Sequence, residues 1–156
     1  MSIPTALNKR GNKIMIDGHK FDSQKEADFY TRFVCDCGRS FKIHPKFELM
    51  PLTHLDGANL SSVRYTPDVV IYDSDGDMAH VYDVKNSFGI YGIDTGNKLR
   101  FKWFARIYHI PVEAVVVRAH DFKVIAQGVT KQLPEKSPLV KRCQNKHNLS
   151  PRTIAG

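Results

Sequence analysis

The sequence predicts an α/β fold with a mixed central sheet flanked by helices. Short runs rich in Val, Ile and Tyr recur along the chain, and two segments with helical apolar spacing lie between them. At 156 residues, the chain is long enough to form one hydrophobic core. Helices that alternate with strands favour an architecture in which helices pack on a sheet.

The N-terminal part predicts a hairpin followed by a helix. The dipeptide Asp17-Gly18 lies between two short strand-like runs, which is a hairpin signal. Residues 22–37 then predict a helix in which Ser23 is the candidate N-cap and Glu26 completes a capping box. The apolar stripe of this helix consists of Ala27, Tyr30, Phe33 and Val34.

The middle of the chain predicts three strands. Residues 40–52 alternate as a strand that Pro45 bends or interrupts, and residues 53–62 are expected to form a loop. The segments 63–73 and 78–86 predict a pair of strands joined by a tight turn.

The remaining body predicts an irregular Gly-rich loop, a helix and two strands. These segments are residues 87–98, 98–110, 111–119 and 121–127. In the helix we expect the basic residues to face outward, and the inward residues to be Leu99, Trp103, and Ile107 or Ala105.

Positive charge is concentrated at the C-terminus. The chain carries a net charge of +7, and residues 129–156 alone contain six basic residues and one acidic residue. A nearly neutral body with a basic tail indicates a polyanionic partner, most often nucleic acid, although a solubilising tail without a partner is the alternative. We therefore divide the chain into a domain, residues 1–130, and a basic extension, residues 131–156, in which Lys141 and Arg142 are candidate DNA contacts.

The sequence predicts neither a membrane span nor a signal peptide. No apolar run approaches the length of a membrane span, and the first residues, MSIPTALNKRGNK, lack the apolar core of a signal peptide. The chain has three cysteines, an odd number that argues against a disulfide framework. We expect a cytoplasmic protein without membrane contact.

Two strand-like runs each carry one carboxylate in their middle. If Asp75-Gly76 forms a two-residue hairpin loop, Asp68 lies directly across from Asp83, with Lys85 on the same face of the sheet. A longer loop would shift this alignment. Opposed carboxylates repel each other, and a divalent cation reverses that repulsion.

Two interpretations of this cluster stay open. Magnesium prefers hard oxygen ligands, and Lys85 could orient or deprotonate a water, or stabilise charge developing on phosphorus. Together these groups would hydrolyse a phosphodiester. Alternatively, Lys85 only neutralises the two aspartates as a partly buried ion cluster.

The runs FDSQKEADFY, RYTPDVVIYD and VYDVKN resemble the PD-(D/E)XK nuclease superfamily in its D-x-K version. Within it they are similar to small phage-encoded endonuclease-I-type Holliday junction resolvases, and also to transposase endonuclease subunits. The signature itself consists of residues 67–68 and 83–85, and the resemblance covers residues 14–119. It implies a restriction-endonuclease-like core.

The resemblance also implies roles for individual residues. Asp68 and Asp83 would ligate Mg²⁺, for which Mn²⁺ would substitute, and the Val84 carbonyl would be a further ligand. Lys85 would be the catalytic lysine. Glu26 would match an additional acidic residue of the resolvase-like branch, although its place in a capping box explains a glutamate there without any ligand role.

The function implied by the resemblance is a magnesium-dependent DNA endonuclease that leaves a 5′-phosphate and acts on branched DNA such as a Holliday junction. Symmetric cleavage of a junction needs two active sites, so a homodimer is expected, in the host cytoplasm if the chain is phage-encoded. Lys98, Arg100 and Lys102 are candidate DNA contacts, and Lys102 could reach the scissile phosphate. The alternatives are a transposase-type or other structure- or end-specific nuclease, or a non-catalytic nucleic-acid-binding protein of the same fold.

A zinc site is a weaker possibility. Cys35, Cys37, Cys143 and His147 supply four suitable ligands, but the spacing between the two pairs is unusual, and free cysteines are commonly buried apolar residues. The remaining histidines show no ligand spacing and are expected to be ordinary. They are residues 19, 44, 54, 80, 109 and 120.

Overall fold

The computed structural model describes residues 13–87, 92–128 and 141–143 of the chain. These residues form a mixed α/β structure with a six-stranded sheet of mixed direction, three two-stranded sheets and two α-helices. The predicted mixed sheet with flanking helices is therefore confirmed at the level of architecture. None of the described helices is long and apolar enough to cross a membrane.

The elements have the following bounds. The helices are α1 (Gln24–Phe29), which continues as a π-helical turn (Tyr30–Val34), and α2 (Thr95–Tyr108). The strands are β1 (Ile14–Ile16), β2 (His19–Phe21), β3 (Phe41–Ile43), β4 (Phe47–Met50), β5 (Thr53–Leu55), β6 (Ala58–Leu60), β7 (Val63–Tyr65), β8 (Val69–Tyr72), β9 (Met78–Val84), β10 (Val112–Val117), β11 (Phe122–Ala126) and β12 (Lys141–Cys143).

The large sheet has the strand order β3-β8-β9-β10-β11-β12. Neighbouring strands are antiparallel except β9 and β10, which are parallel and are connected through α2. A parallel pair requires a crossover of this kind, because the chain must return to the same end of the sheet.

Each face of the sheet is covered by one helix. On the first face, Phe29 of α1 packs edge-to-face on Tyr82 and Phe122, with ring centroids 5.4 and 4.9 Å apart. On the second face, Phe101 and Phe104 of α2 form a separate core with the apolar side chains that the sheet directs to that face. Along the C-terminal part of β9, Tyr82 and Val84 therefore lie on the α1 side of the sheet, and Val81 lies on the α2 side.

The N-terminal hairpin and helix cap agree with the sequence predictions. Asp17 and Gly18 have φ angles of 51° and 79°, the positive values that a two-residue turn of type I′ requires. The Ser23 hydroxyl accepts a hydrogen bond from the Glu26 N–H at 3.2 Å, as an N-cap does.

The loop between β8 and β9 is longer than the predicted two residues. The Asp73 N–H donates to the Asp77 carbonyl at 2.9 Å, and the Gly76 N–H donates to the Asp73 carbonyl at 3.1 Å. Three residues therefore form the loop. This is a type I turn followed by Gly76 in the left-handed region, with φ 85°.

A second irregularity offsets the extra loop residue. The pairing of β8 with β9 shifts by one residue between Tyr72 and Ile71. Beyond this bulge Val69 lies across from Tyr82, which is the predicted register. The alignment of the two aspartate-bearing segments was thus predicted correctly from a wrong loop length.

Three segment predictions need correction. The predicted strand 40–52 is divided into β3 and β4, which lie in different sheets, with the break before Pro45. The segment 63–73 is divided in the same way into β7 and β8. Residues 53–62, predicted to be a loop, contain the hairpin β5–β6, because Asp56-Gly57 is itself a turn sequence that joins two short strand-forming runs.

The predicted inward face of α2 was wrong for Leu99 and Ile107, whereas Trp103 packs against the core as predicted. The side chains of Leu99 and Ile107 are 59% and 40% exposed, whereas Phe101 and Phe104 are fully buried. The sequence has apolar residues on two faces of this helix, and the face with the larger aromatic side chains buries more area. The helix begins at Thr95, three residues earlier than predicted, with Asp94 as its N-cap.

The C-terminal strands β10 and β11 were predicted correctly. Of the basic extension 131–156, the structure describes the backbone of 141–143, which pairs with β11 as an edge strand of the large sheet. The other residues of the extension lie outside the described ranges.

We predict that Gly76→Ala lowers the free energy of unfolding by about 1 kcal/mol, because a Cβ disfavours the left-handed conformation. The space around Gly76 is open, so the cost comes from the backbone alone. Urea denaturation measures the difference, with the exposed Ser74→Ala as the control. Equal stability of the two variants would contradict the assigned turn.

Candidate active site

One cleft contains Asp68, Asp83 and Lys85, which are candidate site residues predicted from the sequence. It has a volume of about 310 Å³ and lies at the ends of β7, β8 and β9, beside the first turns of α2. Its walls are Arg64, Tyr65, Thr66, Asp68, Asp83, Lys85, Asn97 and Arg100.

Asp83 is the most enclosed acidic group of the cleft. It is 6% exposed, and it accepts hydrogen bonds from the Tyr65 hydroxyl at 2.7 Å and the Lys85 ammonium at 2.8 Å. Burial, together with the charge of Asp83, raises the pKa of Tyr65 well above its usual value, so the phenol keeps its proton and remains a donor. The Tyr65 ring packs edge-to-face on Phe101 and Phe104 of α2, which fixes its position.

Both the backbone and the side chain of Lys85 are held in place. The backbone N–H of Lys85 donates to the Val115 carbonyl at 2.8 Å, which continues the pairing of β9 with β10 beyond Val84. Its ammonium group lies 5.9 Å from the centroid of the Phe101 ring, and its side chain is 17% exposed. The lysine is therefore held in the cleft while it stays accessible to a ligand.

Asp68 lies at the start of β8, and its carboxylate bonds to the neighbouring strand. Its Oδ2 accepts the Val84 N–H at 2.7 Å, and its Oδ1 lies 3.6 Å from His44 Nε2. Burial, together with the charges of Asp83 and Glu26, raises the pKa of Asp68 to about 6, although hydrogen bonds to His44 and the Val84 N–H lower it. Without a bound metal ion, ionising this buried carboxylate costs free energy.

His44 is a site residue that the sequence analysis missed. Its Nε2 lies 3.6 Å from Asp68 Oδ1 and 3.3 Å from Glu26 Oε2. Hydrogen bonding to Asp68, and to a smaller extent to Glu26, raises the pKa of His44 to about 10. The imidazole is therefore protonated at neutral pH. Its backbone has φ 51°, and its N–H donates to the Asp68 carbonyl at 3.1 Å. The available signal was a histidine directly before Pro45, where the predicted strand is interrupted.

Glu26 does not line the cleft but reaches its edge through His44. Its carboxylate also accepts the Asp22 N–H at 3.3 Å, as expected of a residue in the helix cap. Among the described residues, Asp22, Glu26 and His44 form one group whose possible ligand atoms all lie within 4.8 Å of one another. Both predicted roles of Glu26, cap and ligand, are compatible with this placement.

The predicted DNA contacts on α2 divide into two groups. Arg100 lines the cleft, whereas Lys98 and Lys102 do not. Lys102 lies where its backbone packs closely on Gly128, at which an added Cβ would come within 3.2 Å of the Lys102 Cα. Four further residues of the cleft were not predicted from the sequence, and they are Arg64, Tyr65, Thr66 and Asn97.

Several predictions fall wholly or partly outside the described residues. The side chains of Lys141 and Arg142 are not described, so their predicted DNA contacts stay predictions. The zinc prediction involves Cys143 and His147, which lie beyond the described side chains. The other two members, Cys35 and Cys37, have sulfur atoms within hydrogen-bonding reach of the carbonyls of Thr31 and Arg39.

A family model described as "Protein of unknown function (DUF1064)" matches residues 8–124. The chain belongs to the DUF1064 family. The DUF1064 match contains every residue of the cleft and ends within β11, so the basic extension lies beyond it. No curated protein and no solved structure matches the chain.

We predict that the stability of the metal-free protein depends on the ionisation of Asp68. Folding raises its pKa from 3.8 to about 6, so the folded state holds the proton more tightly than the unfolded chain. The resulting stabilisation is fully present below about pH 3.8 and is lost as the pH rises through 6. From pH 4 to 6 the wild type should lose about 2 kcal/mol relative to Asp68→Asn.

Urea denaturation at pH 4, 5 and 6 with a chelator tests this expectation. The range stops at pH 6 because above it the imidazole of His44 loses its proton in the unfolded chain, which adds a second pH dependence. Asp56→Asn, which removes an exposed carboxylate, is the control. Parallel stability curves for the wild type and Asp68→Asn would show that Asp68 is not perturbed.

Proposed function

We propose that this DUF1064 chain is a magnesium-dependent DNA endonuclease with a restriction-endonuclease-like core. The observation that carries the proposal is the meeting of Asp68, Asp83 and Lys85 in one cleft that also contains two arginines. A pair of carboxylates beside a lysine suits the hydrolysis of a phosphodiester, and the cleft is open enough to admit one.

The acidic groups fit a divalent cation. Glu26, Asp68 and Asp83 lie near two side-chain cations, His44 and Lys85, so the local charge is −1 when all five are ionised. The raised pKa of Asp68 reflects this excess of negative charge as well as burial. Hard carboxylate oxygens are the ligands that Mg²⁺ prefers, and Mn²⁺ accepts the same set.

Asp68 and Asp83 would hold the ion, with the Val84 carbonyl as a further candidate ligand. Each carboxylate oxygen has two lone pairs, so the bonds that Asp83 accepts from Tyr65 and Lys85 leave room for a cation. Bound Mg²⁺ would supply Lewis-acid stabilisation of negative charge on a phosphoryl oxygen and lower the pKa of a water ligand.

Lys85 would act directly on the reacting phosphate or on the attacking water. Its ammonium has three N–H donors, and the bond to Asp83 uses one of them. The other two are available to orient a water or to donate to a phosphoryl oxygen as negative charge develops there. Its accessible position beside Asp83 supports this role.

Arg64 and Arg100 would bind the phosphates around the scissile bond. With Lys85 they give the cleft lining three cations against two carboxylates. Arginine binds phosphate in a bidentate manner, which fixes the orientation of the group as well as its position. Branched DNA is the substrate class that the sequence resemblance favours.

We predict that Lys85→Ala abolishes cleavage but leaves DNA affinity nearly unchanged, because one lysine is a small part of a multi-phosphate footprint. Lys20→Ala is the matched control, since it removes the same charge from an exposed residue outside the cleft. Cleavage is measured on linear, nicked, flap and four-way DNA with and without Mg²⁺, and binding by a filter or gel-shift assay.

Cleavage by Lys85→Ala at the wild-type rate would place the active site elsewhere. If the wild type binds DNA but cuts none of the four substrates, the non-catalytic interpretation replaces the proposal. One observation favours that second candidate, because each oxygen of Asp83 already has one partner, Tyr65 or Lys85, as in a structural ion network.

We predict that Mg²⁺ or Mn²⁺ raises the melting temperature, because a ligand that binds only the folded state stabilises it by mass action. Asp68→Asn should remove most of this gain, whereas Asp56→Asn, at the exposed tip of the β5–β6 hairpin, should keep it. Differential scanning fluorimetry over a metal titration measures the shift. Equal shifts in all three proteins would mean that any bound ion does not use Asp68.

A further inference from the structure

The hairpin β5–β6 projects from the body of the protein. We refer to residues 50–62, which contain this hairpin and its flanks, as the arm. All six strand residues are exposed, and among the described strands β5 and β6 pair only with each other. An isolated two-stranded hairpin is marginally stable in water, so a contact that covers one of its faces would stabilise it.

One face of the arm is apolar. Leu55 lies across from Ala58, and Leu60 across from Thr53, so these four side chains share a face. Leu55 and Leu60 are 51% and 48% exposed, and exposed apolar groups continue at the base of the arm, where Leu52 is 51% and Met50 37% exposed. Several exposed apolar side chains in one short segment are typical of a protein interaction site.

The other face of the arm is polar. His54 lies across from Asn59, with 2.7 Å between His54 Nδ1 and Asn59 Oδ1. The arm is thus two-sided, with one face suited to solvent and the other to a partner.

The charge of the arm argues against nucleic acid as that partner. Between Glu48 and Arg64 the sequence has a single charged residue, Asp56, and no lysine or arginine, in a chain whose net charge is +7. Binding to a phosphate backbone depends on basic side chains, which the arm lacks. An almost uncharged surface is instead compatible with a copy of itself, because two identical faces meet without like-charge repulsion.

We infer that the arm is the surface through which two copies of this chain pair. The apolar face of one arm covers the apolar face of the other about a two-fold axis, an isologous contact in which each patch meets its own copy. An antiparallel arrangement of the arms puts each tip near the base of the partner's arm. The two Asp56 carboxylates then lie at opposite ends of the interface, and the exposed side chains of Met50 and Leu52 gain cover.

The position of the arm connects this contact with the cleft. The arm lies between β4 and β7 in the chain, and the next strand residues, Arg64 and Tyr65, form a wall of the cleft. A dimer through the arm therefore holds two clefts in one assembly. The relevance of this pairing to two cuts in branched DNA rests on the proposed function, whereas the pairing itself does not.

The size of the arm limits the affinity. Its thirteen residues fall short of the roughly 20–30 residues per side of a standard interface, so we expect a weak dimer that dissociates in the micromolar range. Sedimentation velocity across that range, without DNA or metal, measures the dissociation constant independently of any nuclease activity.

The test compares three proteins. Leu55→Glu combined with Leu60→Glu should weaken dimerisation by about 100-fold or more, because it buries charges at the centre of the contact. Leu99→Glu is the matched control, since Leu99 is an equally exposed leucine on α2, at 59%. It should dimerise as the wild type does. Because the replaced side chains are exposed, all three should show the same far-UV circular dichroism.

A second measurement needs no variant. Hydrogen exchange of the wild type at low and high concentration should show concentration-dependent protection of the arm amides. A wild type that stays monomeric at high concentration would overturn the inference, and so would an arm variant that dimerises normally or arm amides indifferent to concentration. Loss of dimerisation in Leu99→Glu alone would place the interface on α2. Loss of DNA affinity in the arm variant of a monomeric protein would make the arm a DNA contact.

Discussion

The arrangement of the site depends on Asp68, which joins three segments of the chain. Its N–H donates to the Tyr82 carbonyl, its carbonyl accepts the His44 N–H, and its carboxylate accepts the Val84 N–H at 2.7 Å. Both backbone groups and the side chain of this residue therefore hold the ends of β3, β8 and β9 together. This bonding fixes the carboxylate at the edge of the sheet, beside a second buried acid and the lysine that follows it.

Because these acids are buried, the residues around them supply hydrogen-bond donors and positive charge. An ionised carboxylate out of water needs donors or cations, and the chain supplies both. Asp83 has the Tyr65 hydroxyl and the Lys85 ammonium, while Asp68 shares a protonated His44 with Glu26. Within this group of five residues the three acids still outnumber the two cations, and in the proposed nuclease a magnesium ion would supply the missing charge. Burial, together with the charges of Asp83 and Glu26, explains why the pKa of Asp68 lies near 6 although a histidine cation is close by.

The two helices contribute to the site in different ways. The ring of Phe101 on α2 packs against Tyr65 and lies 5.9 Å from the Lys85 ammonium, so the helix supports both partners of Asp83. On the other face of the sheet, α1 carries Glu26 to the edge of the cleft, where its carboxylate faces His44. The cleft therefore lies where both helical layers meet the ends of the same strands.

Features that depend on neighbouring residues could be predicted from the sequence, whereas contacts between residues that are distant in sequence could not. Period-two alternation placed Asp83 and Lys85 on one face, Asp17-Gly18 predicted its turn, and the Ser23 cap followed from spacing alone, because each depends on neighbours a few residues away. The register of Asp68 against Asp83 was predicted correctly, but a bulge in β9 had to offset a longer loop than expected. The buried face of α2 depended on which of two apolar stripes met the sheet. His44 joined the site only because a strand break brought it to Asp68, 24 residues further along the chain. Only the folded chain could decide these points, because the deciding energies are those of packing and charge between segments that are remote in sequence.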